Sequence, residues 1–234
     1  MPLKTRLYIG VAVALGCVLL AGCLIWYRQF PEMARFLAYT ALACIASTMK
    51  VRLPRLHGTI SVNFVFILLA VAQLSLAETV VLSFAATVMQ CKWRPKTRPT
   101  LIQVLFNAST IAISAALAHW TAHAIPGGPW SLIALIPAAT VFFVVDSGIV
   151  SGVLALISNK TVLAVWRQCH LWAFPFYLVG AVIAGGICVA NEVSGWRLPL
   201  LSLPLMYLIY SHYQIYVSSQ PLVEGGHAGE PQYD

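Results

Sequence analysis

Charged side chains are what this sequence has least of: they make up 9% of its 234 residues, against roughly a quarter in ordinary soluble domains. With 60% hydrophobic residues and a mean hydropathy of +0.83, that scarcity excludes a soluble globular domain. Also missing are a nucleophile elbow, a glycine-rich phosphate loop, a haem histidine pair and a zinc signature, so no residue pattern supports catalysis, a cofactor or a metal. Six cysteines are present, but they do not form a disulfide framework. Cys17, Cys23, Cys44 and Cys188 lie inside apolar runs, and Cys91 and Cys169 end such runs beside basic loops, as reduced structural thiols do.

What the sequence does have is apolar runs. Eight occur, at about 7–27, 33–49, 60–75, 78–91, 101–124, 131–157, 170–190 and 198–217. A hydrocarbon core of about 30 Å takes about 20 helical residues, so most of these runs can span it. The expected fold is all-α: a polytopic membrane helix bundle of about eight segments forming one domain over residues 1–217, followed by a polar tail at 218–234. The third and fourth segments are short. They are either tilted helices or a hairpin turning at "LSLAE", and the flanking basic loops "KVRLPRLHG" and "KWRPKTRP" return the chain to the side it left in both cases.

The net charge of +7 would suit a nucleic-acid binder, but its placement excludes that reading, because Lys and Arg fall in the gaps between apolar runs. Counting alternate gaps puts eleven of the fourteen on one side, from Lys4 and Arg6 through the loops at 50–55 and 92–98 to Lys160 and Arg167. Only Arg28, Arg35 and Arg197 fall on the other. The positive-inside rule then makes both termini cytoplasmic and predicts a multi-pass membrane protein. Tryptophans at 26, 120, 130 and 196 fall near the outer boundary and those at 93, 166 and 172 near the inner one, as interfacial belts prefer. A competing signal is "LAGC" at 20–23, a lipobox that would make Cys23 a lipidated N-terminus. The apolar continuation "LIWY" favours an uncleaved spanning helix.

Polar residues inside the apolar runs carry the functional question. Gln103, Asn107, Thr110, Ser114 and Thr121 recur at helical spacing and make one stripe, expected to face other helices or a cavity. Hydrogen bonding between helices would explain such a stripe by itself. Asp146 is harder to explain so simply. A carboxylate at the centre of a membrane helix costs several kcal/mol unless it is paired, protonated or turned inward. Ser151 lies one turn beyond it, and Gly148 with Gly152 makes a small-xxx-small pattern suited to close helix packing. With antiparallel neighbours, Asp146 lies at a depth between Asn107 and Ser114, which predicts a polar cluster. The segments "FNASTIAISAALA" and "VDSGIVSGVLAL" are also similar to each other, as in duplicated membrane units with a site at the repeat interface.

Candidate ligand-binding residues are therefore Asp146, Asn107, Ser114, Asn63 and Ser151, with Gly148 and Gly152 in helix packing. Asn63 serves as a cap or joins the cluster. His119 and His123 have the i, i+4 spacing of a metal pair but no acid or cysteine partner close in sequence. Glu78 and Glu192 fall at outer turns, where water is expected to solvate them.

The order of "KVRLP", "HGTISVNFVF", "LSLAETVVLSFAATVMQCKWR", "VLFNAS", "VVDSGIVSG", "WAFPFYLVG" and "LPLMYLIYSHYQIY" resembles the MASE type of membrane-associated sensor found N-terminal to HD-GYP or GGDEF domains in bacteria. The likeness runs over about residues 35–217. It departs at Asp146, where Asn is common, and at Arg55, where Gly often follows the proline. The resemblance implies a sensor whose last helix feeds a cytoplasmic enzyme of cyclic di-GMP turnover, and it implies no catalytic residue in the membrane module. The tail at 218–234 is too short for such an enzyme, so the expectation is a non-enzymatic sensor that relays to a separate cytoplasmic protein or acts as a homo-oligomer within the lipid bilayer. A small transporter using Asp146, or a structural subunit of a larger membrane complex, are the alternatives.

Overall fold

Two helix starts are written plainly in the sequence. In "SLAE" the Ser75 hydroxyl accepts from the Glu78 backbone N–H at 3.3 Å while the Glu78 carboxylate accepts from the Ser75 N–H at 2.9 Å. In "TLIQ" Thr100 and Gln103 form the same reciprocal box. Each satisfies donors that the first helical turn leaves unpaired. A computed structural model of the protein describes residues 3–26, 32–52, 59–61, 63–93 and 99–194. The expected eighth segment and the tail lie outside these residues.

The described chain runs α1 (Leu3–Trp26), α2 (Met33–Thr48), β1 (Lys50–Arg52), β2 (Thr59–Ser61), α3 (Asn63–Gln73), α4 (Leu76–Lys92), α5 (Leu101–Ala124), α6 (Leu132–Ser158), α7 (Val162–Cys169), a 3-10 turn (Leu171–Ala173) and α8 (Phe174–Ser194). It is helical except for the antiparallel β1–β2 pair, in which Val51 opposes Ile60. Among the described residues four stretches are long and apolar enough to cross a membrane: Leu3–Ile25, Leu101–Ala124, Leu132–Ser158 and Leu171–Asn191.

Helix α5 is central, packing against α1, α3, α4 and α6, while α8 closes the far side against α3 and α6. The bundle is apolar outward as well as inward. In α1, Leu3, Leu7, Val11, Leu15 and Val18 form an exposed stripe, and Thr5, Ala12 and Gly16 face inward. Water would penalise that stripe and lipid would not. At Gly16 the two backbones come close enough that a Cβ would collide with Ser109 of α5, so a small residue is required there.

The short third segment is a core helix. At 11 residues α3 is about 16 Å long, half the hydrocarbon thickness. Its residues from Val65 to Ala72 are all buried, including Phe66, Leu68 and Leu69 at 0% exposure. A helix apolar on every side belongs inside a bundle. "LSLAE" accordingly serves as the α4 start rather than only as a turn. Glu78 departs from its expected solvation, being 2% exposed and held by Ser75.

Helix α7 was not expected. Its eight residues fall in a gap between apolar runs, where a loop is the natural reading, but Val162, Val165, Trp166 and Cys169 recur at helical spacing and Val165 is buried. The indole of Trp166 donates to the Ser147 hydroxyl of α6 at 2.7 Å, which turns this tryptophan inward instead of toward an interfacial belt.

Candidate functional site

Asp146 lies at mid-length of α6 and lines two adjoining cavities. The larger, of about 410 Å³, opens between α3, α6, the turn after α7 and α8, and the smaller, of about 130 Å³, lies between α4, α5 and α6. Gln90, Ile111 and Asp146 belong to both linings. The larger falls within the roughly 300–1,000 Å³ of small-molecule sites. It sits toward the end of the bundle where α3 and α8 begin and α4 ends.

The fold brings three of the five candidate residues to these cavities. Asn107 lines the smaller one with Asp146, and Asn63 lines the larger one with it. Asn63 donates to Gln90 at 3.2 Å, and Asn107 reaches the Cys91 thiol at 3.7 Å. Among the described residues no hydrogen bond or ion pair is formed to the Asp146 carboxylate. Thr110, 1% exposed, also lines the smaller cavity, and its buried hydroxyl has no hydrogen-bond partner.

Ser114 and Ser151 lie elsewhere. Ser114 is fully buried and donates to the Thr110 carbonyl of its own helix at 2.9 Å. Ser151 pairs with His170 Nδ1 at 3.1 Å, tying α6 to the turn that borders the larger cavity. The expected stripe on α5 is thus only partly a site. Gln103 is a cap, Thr121 bonds the Leu117 carbonyl one turn back, and Asn107 with Thr110 reaches the cavity. The two glycines also differ. A Cβ at Gly152 would strike the Tyr8 ring and hydroxyl of α1, whereas a Cβ at Gly148 would meet nothing within 4 Å.

Aromatic rings form much of the larger cavity's wall. Phe64 lies 5.1 Å from Phe142 and 4.3 Å from Tyr177 between ring centroids, and Trp172 meets Phe176 edge-on at 6.3 Å. Sequence reading missed this wall because its rings come from three separate helices and a turn. No group of three His, Cys, Asp or Glu that could hold a metal occurs among the described residues. His119 and His123 stack at 3.9 Å, with His123 Nδ1 at 2.9 Å from the His119 carbonyl, so the two rings lie face to face rather than converging on a point.

A second polar cluster, also unanticipated, lies at the opposite end. Tyr39 of α2 donates to Gln73 of α3 at 2.6 Å, and Asn191 of α8 donates to both Tyr39 at 3.1 Å and Gln73 at 3.0 Å. Three helices are joined there by side chains separated by up to 152 positions.

Lipid-compatible outer surfaces, long apolar helices and a largely aromatic cavity holding one carboxylate together define a helical membrane protein with an internal cavity. The chain belongs to the MASE9 family, whose model matches residues 32–218, and thus to the MASE membrane-associated sensory domains. The likeness to MASE sensors carried by the sequence motifs is therefore correct. No curated protein matches the chain and no solved structure does.

Proposed function

We propose that this protein is a non-enzymatic sensory module of a bacterial cytoplasmic membrane, in which a small ligand enters the cavity beside Asp146 and the resulting change in helix packing passes to a separate cytoplasmic protein. The observation that carries this reading is a carboxylate without a protein partner among the described residues, set in the wall of a 410 Å³ cavity. Desolvating such a group costs several kcal/mol, a cost that a purely structural residue would not explain. A ligand that engages the carboxylate in only one packing arrangement shifts the bundle toward that arrangement by its differential affinity. The eight-segment topology with both termini in the cytoplasm, argued from the charge asymmetry, puts the cavity on the side nearer the cytoplasm.

Purification of the full chain in mild detergent, with every co-purifying polypeptide identified by mass spectrometry, tests this. A stoichiometric cytoplasmic signalling enzyme is expected. Recovery of the chain alone, together with solute flux in proteoliposomes that Asp146→Asn abolishes, would overturn the sensory reading in favour of transport.

A further inference from the structure

We propose that the cavity beside Asp146 binds an organic ammonium ion, with the carboxylate as its counter-ion and the surrounding aromatic rings as its cage. This rests on the sensory reading above and names its ligand class. Charge gives the first argument. Among the described residues, Asp146 is the one acidic side chain in either lining, neither lining contains a Lys or Arg, and His170, held by Ser151, is the basic group that borders the larger one. The ion pair of Arg35 with Glu32, at 2.9 Å, lies outside both linings. An anion would therefore meet repulsion from Asp146, and a neutral ligand would leave the carboxylate without a counter-charge.

The lining then selects among cations. A divalent metal is usually held by several carboxylate, imidazole or thiolate groups, and no group of three His, Cys, Asp or Glu side chains that could hold one occurs among the described residues. A small inorganic monocation keeps its water shell tightly and gains little from apolar walls. An alkylated ammonium is weakly hydrated, has an apolar shell, and is drawn to the negative faces of aromatic rings. Phe64, Phe142, Phe176, Tyr177 and Trp172 supply those rings around the same space as Asp146. The Asn107 amide, across the adjoining smaller cavity, offers an oxygen for a polar substituent.

Phe176, Val179 and Ile183 line the cavity and are also exposed, so its mouth lies on an apolar outer face of α8. The ammonium group could therefore belong to a free solute or to a lipid headgroup.

Equilibrium dialysis of the full chain with radiolabelled choline tests the proposal, using 3,3-dimethylbutan-1-ol, its uncharged carbon isostere, as competitor. The expected result is that choline binds at least about tenfold tighter than the isostere, and that Asp146→Asn removes at least about tenfold of the choline affinity. Trp172→Leu, which keeps the charge and thins the cage, is expected to weaken choline about fivefold while leaving the isostere nearly unchanged. Equal affinity for the two probes, binding of neither, or full choline affinity in Asp146→Asn overturns the proposal. Should Asp146→Asn fail to fold by size exclusion, the two probes on the wild-type chain decide. Repeating the dialysis in nanodiscs of phosphatidylglycerol, with and without phosphatidylethanolamine, separates the sources: loss of choline binding with the amine lipid identifies a headgroup site, and unchanged binding identifies a solute site. A stoichiometric signalling partner recovered from a chain that shows no ammonium preference would remove the ligand class and leave the sensory reading standing.

Discussion

The two ends of the bundle treat buried polarity in opposite ways. At one end Tyr39, Gln73 and Asn191 hydrogen-bond to one another and join α2, α3 and α8, with the Asn191 Oδ1 left without a partner. At the other, Asp146 faces a cavity with no hydrogen bond or ion pair among the described residues, beside a Thr110 hydroxyl that also has none. A network of side chains bonded across helices fixes which helices touch and where. An unsatisfied group in a cavity does nothing for the resting fold and gains a partner only when something else arrives. The difference separates polarity that specifies structure from polarity held for a ligand.

The comparison can be broken at either end. Gln73→Leu should have the largest effect on stability, because it removes the acceptor of both Tyr39 and Asn191. A loss of about 1–3 kcal/mol is expected in denaturant titration of the detergent-solubilised chain. An unchanged midpoint would show that the network specifies nothing. Trp166→Phe keeps the ring and deletes the 2.7 Å bond to Ser147, so about 1 kcal/mol should be lost. That change should also loosen α7, read as faster amide exchange over Val162–Cys169. Asn107→Ala removes only a long contact with the Cys91 thiol at 3.7 Å, and its stability should stay within about 0.5 kcal/mol of wild type. A larger loss there would place Asn107 with the structural set rather than with the cavity.

Much of the fold was readable because lipid imposes a length requirement on apolar runs. Helices α1, α5, α6 and α8 all coincide with runs chosen on that ground. Where the requirement is silent, reading failed. Helix α7 is too short and too polar to register as a run, although its i, i+3, i+4 pattern was available. The caps at Ser75 and Thr100 were also written in the sequence as S-x-x-E and T-x-x-Q, and attention to them would have removed Gln103 from the polar stripe and placed Glu78 at a helix start.

The site was legible in proportion to the cost of its residues. Asp146 stands out because a carboxylate in an apolar run demands a reason. Asn107 followed from helix depth and polarity, Asn63 was open between a cap and the cluster, and the fold carries both to the cavities. Ser114 did not follow, since a buried serine hydroxyl can bond its own helix one turn back and then carries no information about neighbours. The Tyr39, Gln73 and Asn191 network was illegible for a different reason. Each member is unremarkable alone, and only the packing of α2, α3 and α8 brings them together.

The central claim is that Asp146 is kept for something other than holding the bundle together. Its most direct test is the unfolding free energy of Asp146→Asn beside that of the wild-type chain, measured in the same detergent. The account predicts a value equal to or higher than wild type, because a desolvated carboxylate with no partner is replaced by a neutral amide. A loss of about 3 kcal/mol or more would contradict it, since that is the penalty for removing one member of a buried pair, and it would make Asp146 a structural residue like those at the opposite end.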